Sequence, residues 1–457
     1  MAMMQRQTQS NSQRRMSFLK MLFWAYFLLL IFEGALRKWI LPQLSAPLLL
    51  VRDPVALLIV WEAYRTNKWP KKWSTVAGIL AVGMLGLCVI QTVAGDNPLA
   101  SALYGLRSYL LPFPVAFIMG ENLDASELRR FGVCALWLLL PLTALEVAQY
   151  LAPPGSFLNS GAYAGAEQIA YVGTRSRASG TFSFVTGPTN YGPLAAAFIF
   201  YGLADEKFAK KWLLWAATFA LILSVPVIGS RTLVFELAGV VVCAAIASLC
   251  GVSQFVKTLR VIVPLLAVSA LVSLLPVFSE ASNSLNQRFA EASELEGGVG
   301  HAVQTRTYGN IAEMILRTDF GGHVFGIGMG RGAAAVSRLA TGRASFVAGE
   351  DEFARELNEF GPVPGLAFGM FRIFFVIVIA ASAIKRARDQ EPLALLLVPL
   401  LVPTLLLGVL EQPTVQGFMV IGLAFSLAAL RQTRLIAQPV PIRRVLPHPV
   451  RFSSPGR

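Results

Sequence analysis

Seven arginines and eleven carboxylates fall within residues 278–359, and they are unevenly arranged. From His301 to Ala348 five arginines (Arg306, Arg317, Arg331, Arg338 and Arg343) face only Glu313 and Asp319. From Gly349 to Glu359 the balance reverses, with Glu350, Asp351, Glu352, Glu356 and Glu359 against Arg355. A guanidinium fork grips phosphate oxygens in pairs, and a carboxylate beside it can take a proton from an attacking hydroxyl. A cationic patch next to an acidic one therefore suits displacement of an anionic leaving group. Glu350, which opens the acidic end, is the candidate general base. His301 and His323 show no ligand spacing, so neither a metal nor another cofactor is expected. The run Gly326-Ile327-Gly328-Met329-Gly330-Arg331-Gly332 follows no strand and is not a dinucleotide fingerprint. It is either a turn whose amides face an anion or an ordinary flexible turn.

Two helices are predicted inside this stretch. Residues 302–317 place Val303, Tyr308, Ile311, Ile315 and Leu316 opposite Arg306, Asn310, Glu313 and Arg317, the pattern of a helix lying on a membrane surface. In residues 350–360, Phe353, Leu357 and Phe360 form an apolar stripe. Arg355 is expected to pair with Glu352 and Glu359 along an exposed face.

The elements that must position these residues are apolar segments. The chain has 457 residues, 55% hydrophobic and only 14% charged, a composition that excludes an ordinary soluble enzyme. Twelve segments reach the roughly 20 residues needed to cross a bilayer: 18–36, 44–62, 74–94, 99–120, 131–151, 187–204, 212–228, 231–250, 258–277, 360–384, 392–410 and 414–430. The fold class expected is an all-α polytopic membrane protein, with N and C termini cytoplasmic and a large periplasmic loop containing short helices. Its divisions are a tail at 1–17, helices 1–9 over 18–277, the loop at 278–359, helices 10–12 over 360–430 and a tail at 431–457. With the N-terminus inside, alternation puts 24 basic residues on the cytoplasmic side and five on the short outer connections. The net charge of +13 thus reports orientation, and no nucleic-acid partner is expected. Cys88, Cys134, Cys243 and Cys250 all lie in apolar runs and are read as free thiols.

Eleven of the twelve basic residues assigned to the outer side are arginine. Arg177 belongs to a Gly- and Pro-containing outer segment that is expected to re-enter the membrane edge. Arg231 sits in the short connection Gly229-Ser230-Arg231-Thr232, from which it reaches a lipid headgroup or a lipid-linked phosphate, or simply snorkels. Charges inside spans are costly and are functional candidates by default: Glu33, Arg52, Asp53, Arg107, Glu146, Glu236 and Arg372. Arg52 and Asp53 are expected to neutralise each other. Arg107 either lines a substrate cavity or forms a structural ion pair, and Arg355 is a second cavity candidate.

Several features over residues 170–380 together resemble the O-antigen polymerase and O-antigen ligase superfamily of bacterial integral-membrane glycosyltransferases. They are Arg177 with Gly180-Thr181-Phe182 and then Pro188 and Asn190 at a span entry, Ser230-Arg231 opening a span, Arg306 in a loop helix, the Gly326-Ile327-Gly328 turn, and Glu359-Phe360-Gly361 before a span. The resemblance implies an inner-membrane enzyme with its active site facing the periplasm. It would move a glycan from polyprenyl pyrophosphate to an acceptor glycan or lipid, alongside other polysaccharide assembly and export proteins. It further implies that Arg231, Arg306 and Arg177 bind the pyrophosphate. At the position where the family usually carries histidine this chain has Glu350. Residues 1–70, including Glu33 to Trp39, fall outside the pattern, and their Trp and basic residues read as interface anchors.

The expected activity is therefore polysaccharide polymerase or ligase chemistry, with inversion at the anomeric carbon. The alternatives are a twelve-helix transporter or flippase of lipid-linked sugar, and a non-catalytic component of an export complex.

Overall fold

The computed structural model describes residues 2–95, 97–162, 171–172, 175–250, 324–333 and 352–431, together with 283 and 336. The predicted surface helix at 302–317, the span at 258–277, Arg306 and Glu350 lie outside the described residues.

Apolar runs without internal charge can satisfy their backbone in lipid only as helices, and helices dominate the described residues. They are α1 (Ala2–Ala35, extended by a π-helical turn Leu36–Ile40), α2 (Arg52–Arg65), α3 (Ser74–Ala94), α4 (Leu99–Tyr109), α5 (Pro112–Asn122) and α6 (Ala125–Leu151). After a two-residue pairing of Tyr171–Val172 (β1) with Arg175–Ser176 (β2) come α7 (Thr186–Ala204), α8 (Lys211–Ile228) and α9 (Arg231–Leu249). The C-terminal part holds α10 (Glu352–Phe360), α11 (Pro362–Arg388), α12 (Leu393–Leu396), α13 (Val398–Val402) and α14 (Pro413–Arg431).

Eight helical stretches among the described residues are long and apolar enough to cross a membrane: Met16–Ile40, Lys71–Ala94, Leu99–Asn122, Ala125–Leu151, Lys211–Ile228, Arg231–Leu249, Pro362–Arg388 and Pro413–Arg431. The chain is an all-α, multi-pass membrane protein. Three segments depart from the expected single helices, each at proline. Segment 44–62 begins as two short 3-10 turns at Pro42 and Pro47, so α2 has only 14 residues. The stretch 99–120 is interrupted at Leu110–Leu111, where Pro112 and Pro114 have no N–H to donate to the carbonyls of Ser108 and Leu110 four residues back, although Leu111 itself keeps helical dihedrals. Segment 392–410 is divided among α12, α13 and a π-helical turn Pro403–Leu407. Pro399 and Pro403 each lack an N–H and crowd the carbonyl four residues back, so no continuous helix forms there.

At the centre lies α14, buried over nearly its whole length and packed along α5. Phe425 meets Phe27, Phe131 and Phe198 from three other helices, and Trp24 stacks on Phe131 at 3.9 Å. Lipid tails offer the same apolar surroundings as a helix face, so close packing and polar contacts hold such a bundle. At one end, Lys20 pairs with Asp124 at 2.6 Å, Asn122 bonds Lys68 O, Arg129 bonds Lys207 O and Phe208 O, and Arg431 bonds Leu123 O. Asp124 is the N-cap of α6. Partial burial works against its charge, but bonds from Lys20, Ser126 and the Glu127 amide prevail and lower its pKa to about 2. The opposite end carries the polar architecture described next.

Candidate functional site

Two polar walls meet at this second end. The first is built on the re-entrant segment 175–187. Gly180 takes a left-handed conformation (φ +57°) that turns the chain back into the bundle, and Ser176 and Ala178 to Ser183 are buried. Gln149 of α6 anchors the turn: its Oε1 accepts from the amides of Ser179 (3.1 Å) and Gly180 (2.8 Å), and its Nε2 donates to Gly180 O. From the other side, Lys38 donates to Ser179 Oγ and Gly180 O, both at 2.8 Å, and Arg37 donates to Ser183 Oγ at 2.9 Å. Arg37 and Lys38 are 2% and 4% exposed, so they are supports of the re-entrant turn and not interface anchors.

This contact depends on Gly34, where a Cβ would overlap backbone atoms of Phe182 and Ser183. Gly34→Ala is therefore expected to destabilise the detergent-solubilised protein by about 1–3 kcal/mol through overpacking. Gly78→Ala, at a position with nothing within 4 Å, should leave the melting temperature unchanged. Equal melting temperatures for the two variants would refute the tight contact.

Arg177 reaches the end of α8, just before the connection that leads into Arg231. Arg177 Nε donates to Ile228 O at 2.9 Å, and the Ala178 amide donates to Val227 O at 3.2 Å. Gly229 ends α8 in a left-handed turn (φ +58°), and the Ser230 side chain caps α9. The re-entrant segment thereby lies against the turn that delivers Arg231, and both arginine residues are half-buried.

The second wall is a buried network on α10, α11 and the broken segment 393–412. Arg372 is fully buried. It forms an ion pair with Glu356, and its Nε and Nη2 donate to Leu405 O (2.6 Å) and Leu406 O (2.7 Å). These carbonyls lie in the last turn of the helical segment, which ends at Leu407 with Gly408 extended, so they have no helical donors ahead of them, and the guanidinium supplies them. Glu352 accepts from the Leu410 amide at 2.9 Å, and Arg355 reaches Glu411 at 3.3 Å and Glu352 at 3.9 Å. The polar face of α10 is thus buried. Arg355, 2% exposed, keeps the expected pairing with Glu352 and adds Glu411 of another element, in the interior and not along a solvated surface. The apolar stripe Phe353, Leu357 and Phe360 is buried as its spacing predicts.

Glu359 captures the glycine-rich turn. Its carboxylate accepts from the Gly330 amide (2.8 Å) and the Gly332 amide (2.6 Å), while Gln91 of α3 bonds Phe325 O, Glu359 O and the Met329 amide. The turn does face an anion, and that anion belongs to the chain itself. Positive φ at Gly326, Gly328 and Gly330 makes the arrangement glycine-dependent. Burial pushes the Glu359 carboxyl up to about 7, with the two amides and Arg355 opposing the rise. Burial and the Glu359 charge hold Glu411 well above the usual carboxylate range. Four carboxyls and two guanidiniums share this wall, and its balance favours a retained proton.

The remaining buried charges connect the walls. Arg52 pairs with Glu33 at 2.8 Å and also donates to Pro413 O, while Asp53 pairs with Arg107 at 2.7 Å. Successive helix residues point about 100° apart, so Arg52 and Asp53 reach different partners and do not neutralise each other. Below the acidic wall an apolar groove of about 370 Å³ separates α3 from α11, running along Met84 and Leu87 past Phe368 and Phe375 and ending at Phe360, next to Glu359. Sequence reasoning did not single out Gln91, Lys38 or Glu411. Their signal was a polar side chain at the end of an apolar run.

The sequence matches no known protein-family description, and no curated protein is significantly similar to it.

Proposed function

We propose that the protein is a membrane glycosyltransferase of the polysaccharide polymerase or ligase type. It would act at the periplasmic face of a bacterial inner membrane on a polyprenyl-pyrophosphate-linked glycan. The observation that supports this most is the contact of Arg177 with Ile228 O, which holds a second guanidinium residue beside the turn carrying Arg231. Paired guanidiniums stabilise charge that grows on a departing pyrophosphate. The apolar groove ending at Phe360 offers a lane for a polyprenyl chain.

In the reaction, an acceptor hydroxyl oxygen bonds to the anomeric carbon as the bond from that carbon to the pyrophosphate oxygen breaks. The hydroxyl proton passes to the Glu350 carboxylate, the leaving group departs as polyprenyl pyrophosphate, and the configuration inverts. Arg231, Arg306 and Arg177 hold the leaving group. Arg231→Ala and Arg306→Ala are expected to lower glycan extension by a polyprenyl-pyrophosphate oligosaccharide more than 100-fold, consistent with loss of a transition-state charge partner. Wild-type output from both variants would overturn the proposal.

One observation favours a transporter of lipid-linked sugar. The broken segment 393–412, whose Gln412 bonds Thr186 Oγ1 at the end of 175–187, is the kind of discontinuity that transporters place at binding sites. Purified protein in liposomes separates the two readings. Release of polyprenyl pyrophosphate with a lengthened glycan marks an enzyme, and movement of the intact lipid-linked sugar without release marks a transporter.

A further inference from the structure

Arg107 lies on α4, eight residues in from Leu99 and so roughly 12 Å along the helix. Its Nε donates to Asp53 Oδ2 at 2.7 Å, and its side chain is 10% exposed. The guanidinium plane lies 5.3 Å from the centre of the Tyr104 ring, whose hydroxyl is already used on Glu411 O. Both Nη atoms are buried and have no hydrogen-bond partner among the described residues. Of the five N–H donors of an arginine, four are therefore unused in a place where an unmade bond to a charged donor is expensive.

The charge count around it points the same way. Arg37, Arg52 and Arg107 are linked through direct contacts or chain neighbours to Glu33 and Asp53, three cations against two anions. Arg52 has spent its Nε on Glu33 and its Nη2 on Pro413 O, and Gly417 is closed over its Nη1. Arg107 is the guanidinium of this cluster in which both Nη atoms, and so a whole edge, lack a hydrogen bond among the described residues. That edge fits two oxygens on one centre. Phosphate presents two oxygens on one centre, and both lipid headgroups and water can supply it.

We infer that Arg107 is the anchor of a phosphate-binding site between α2, α4 and the start of α14, with Asp53 fixing the guanidinium through Nε and the Nη edge gripping the phosphate oxygens. The site does not depend on glycosyl transfer. It is built on elements other than those carrying Arg177 and Arg231, and it would bind phosphate in a transporter as well. The phosphate arrives on a lipid headgroup or from water, and the two sources are distinguishable.

The test uses the full chain. Thermal unfolding is followed in detergent with inorganic pyrophosphate, and separately in nanodiscs with and without phosphatidylglycerol. Stabilisation by at least one of these is expected, with the affinity lowered at least tenfold in the double variant Asp53→Asn/Arg107→Gln. That variant removes both halves of the buried pair, so it avoids the stranded charge that Arg107→Gln alone would leave. Asp53→Asn alone should tighten binding about tenfold by removing the nearby negative charge, a change that a purely structural ion pair does not predict. Stabilisation by pyrophosphate assigns the site to phosphate from water, and stabilisation only by phosphatidylglycerol assigns it to a headgroup. No stabilisation by either, or equal stabilisation of the double variant, overturns the inference.

Discussion

Replacing Arg372 by Met is expected to destabilise the protein by about 3–5 kcal/mol, the cost typical of removing one partner of a buried ion pair. The loss has two parts. Glu356 keeps its burial without its counter-charge, Glu352 is left with Arg355 alone, and the carbonyls of Leu405 and Leu406 lose their donors at the end of the Pro403–Leu407 turn. Unfolding in detergent, followed by tryptophan fluorescence, measures the total. Glu356→Gln/Arg372→Met separates the parts: it removes the stranded carboxylate but not the bare carbonyls, so it should recover some of the loss and never all of it. A double variant as stable as the parent would show that the carbonyl bonds contribute nothing. A single variant with unchanged stability would refute the network altogether.

Glu359→Gln is expected to loosen the glycine-rich turn and remove a pH dependence. An amide side chain has one acceptor oxygen, so either the Gly330 or the Gly332 amide faces an NH₂ group, a loss of roughly 1–3 kcal/mol. The sign of the pH effect follows from a folded-state pKa of about 7, raised above the ordinary 4.5. The folded protein retains a proton that the unfolded chain releases, so this contribution is full below about pH 4.5 and is lost as pH rises through about 7. The parent should therefore melt at a lower temperature at pH 8 than at pH 5.5, and the Gln variant should show a flatter profile. Hydrogen exchange at the Gly330 and Gly332 amides reports the turn directly. Protection independent of pH in the parent, or unchanged in the variant, would contradict the assignment.

The spans were legible because an apolar run of sufficient length has one way to satisfy its backbone in lipid. The exceptions are equally physical. Segment 392–410 has the hydropathy of a span, yet Pro399 and Pro403 divide it, and hydropathy does not register a missing N–H. The stripe of Phe353, Leu357 and Phe360 was readable from its spacing. The burial of Arg355 on the opposite face was not, because it depends on Glu411, which lies 56 residues away. Arg52 and Asp53 illustrate the same limit: adjacency suggests a pair, but each is claimed by a residue from another helix. Gln91 binds Glu359 O across 268 residues, a contact with no local signature. Of the proposed pyrophosphate residues, the fold brings Arg177 to the turn carrying Arg231. Arg306 and Glu350 lie outside the described residues.

The grip of Lys38 on the re-entrant turn also sets a clock for biosynthesis. Its acceptors, Ser179 Oγ and Gly180 O, are encoded 141 and 142 residues later. At about 5–20 residues per second, the first helix waits roughly 7–30 s after synthesis before this ammonium finds its final partners. During that interval the cation must stay near water or be shielded by the insertion machinery. The order of translation thus leaves this contact to form only once the second third of the chain has begun to emerge.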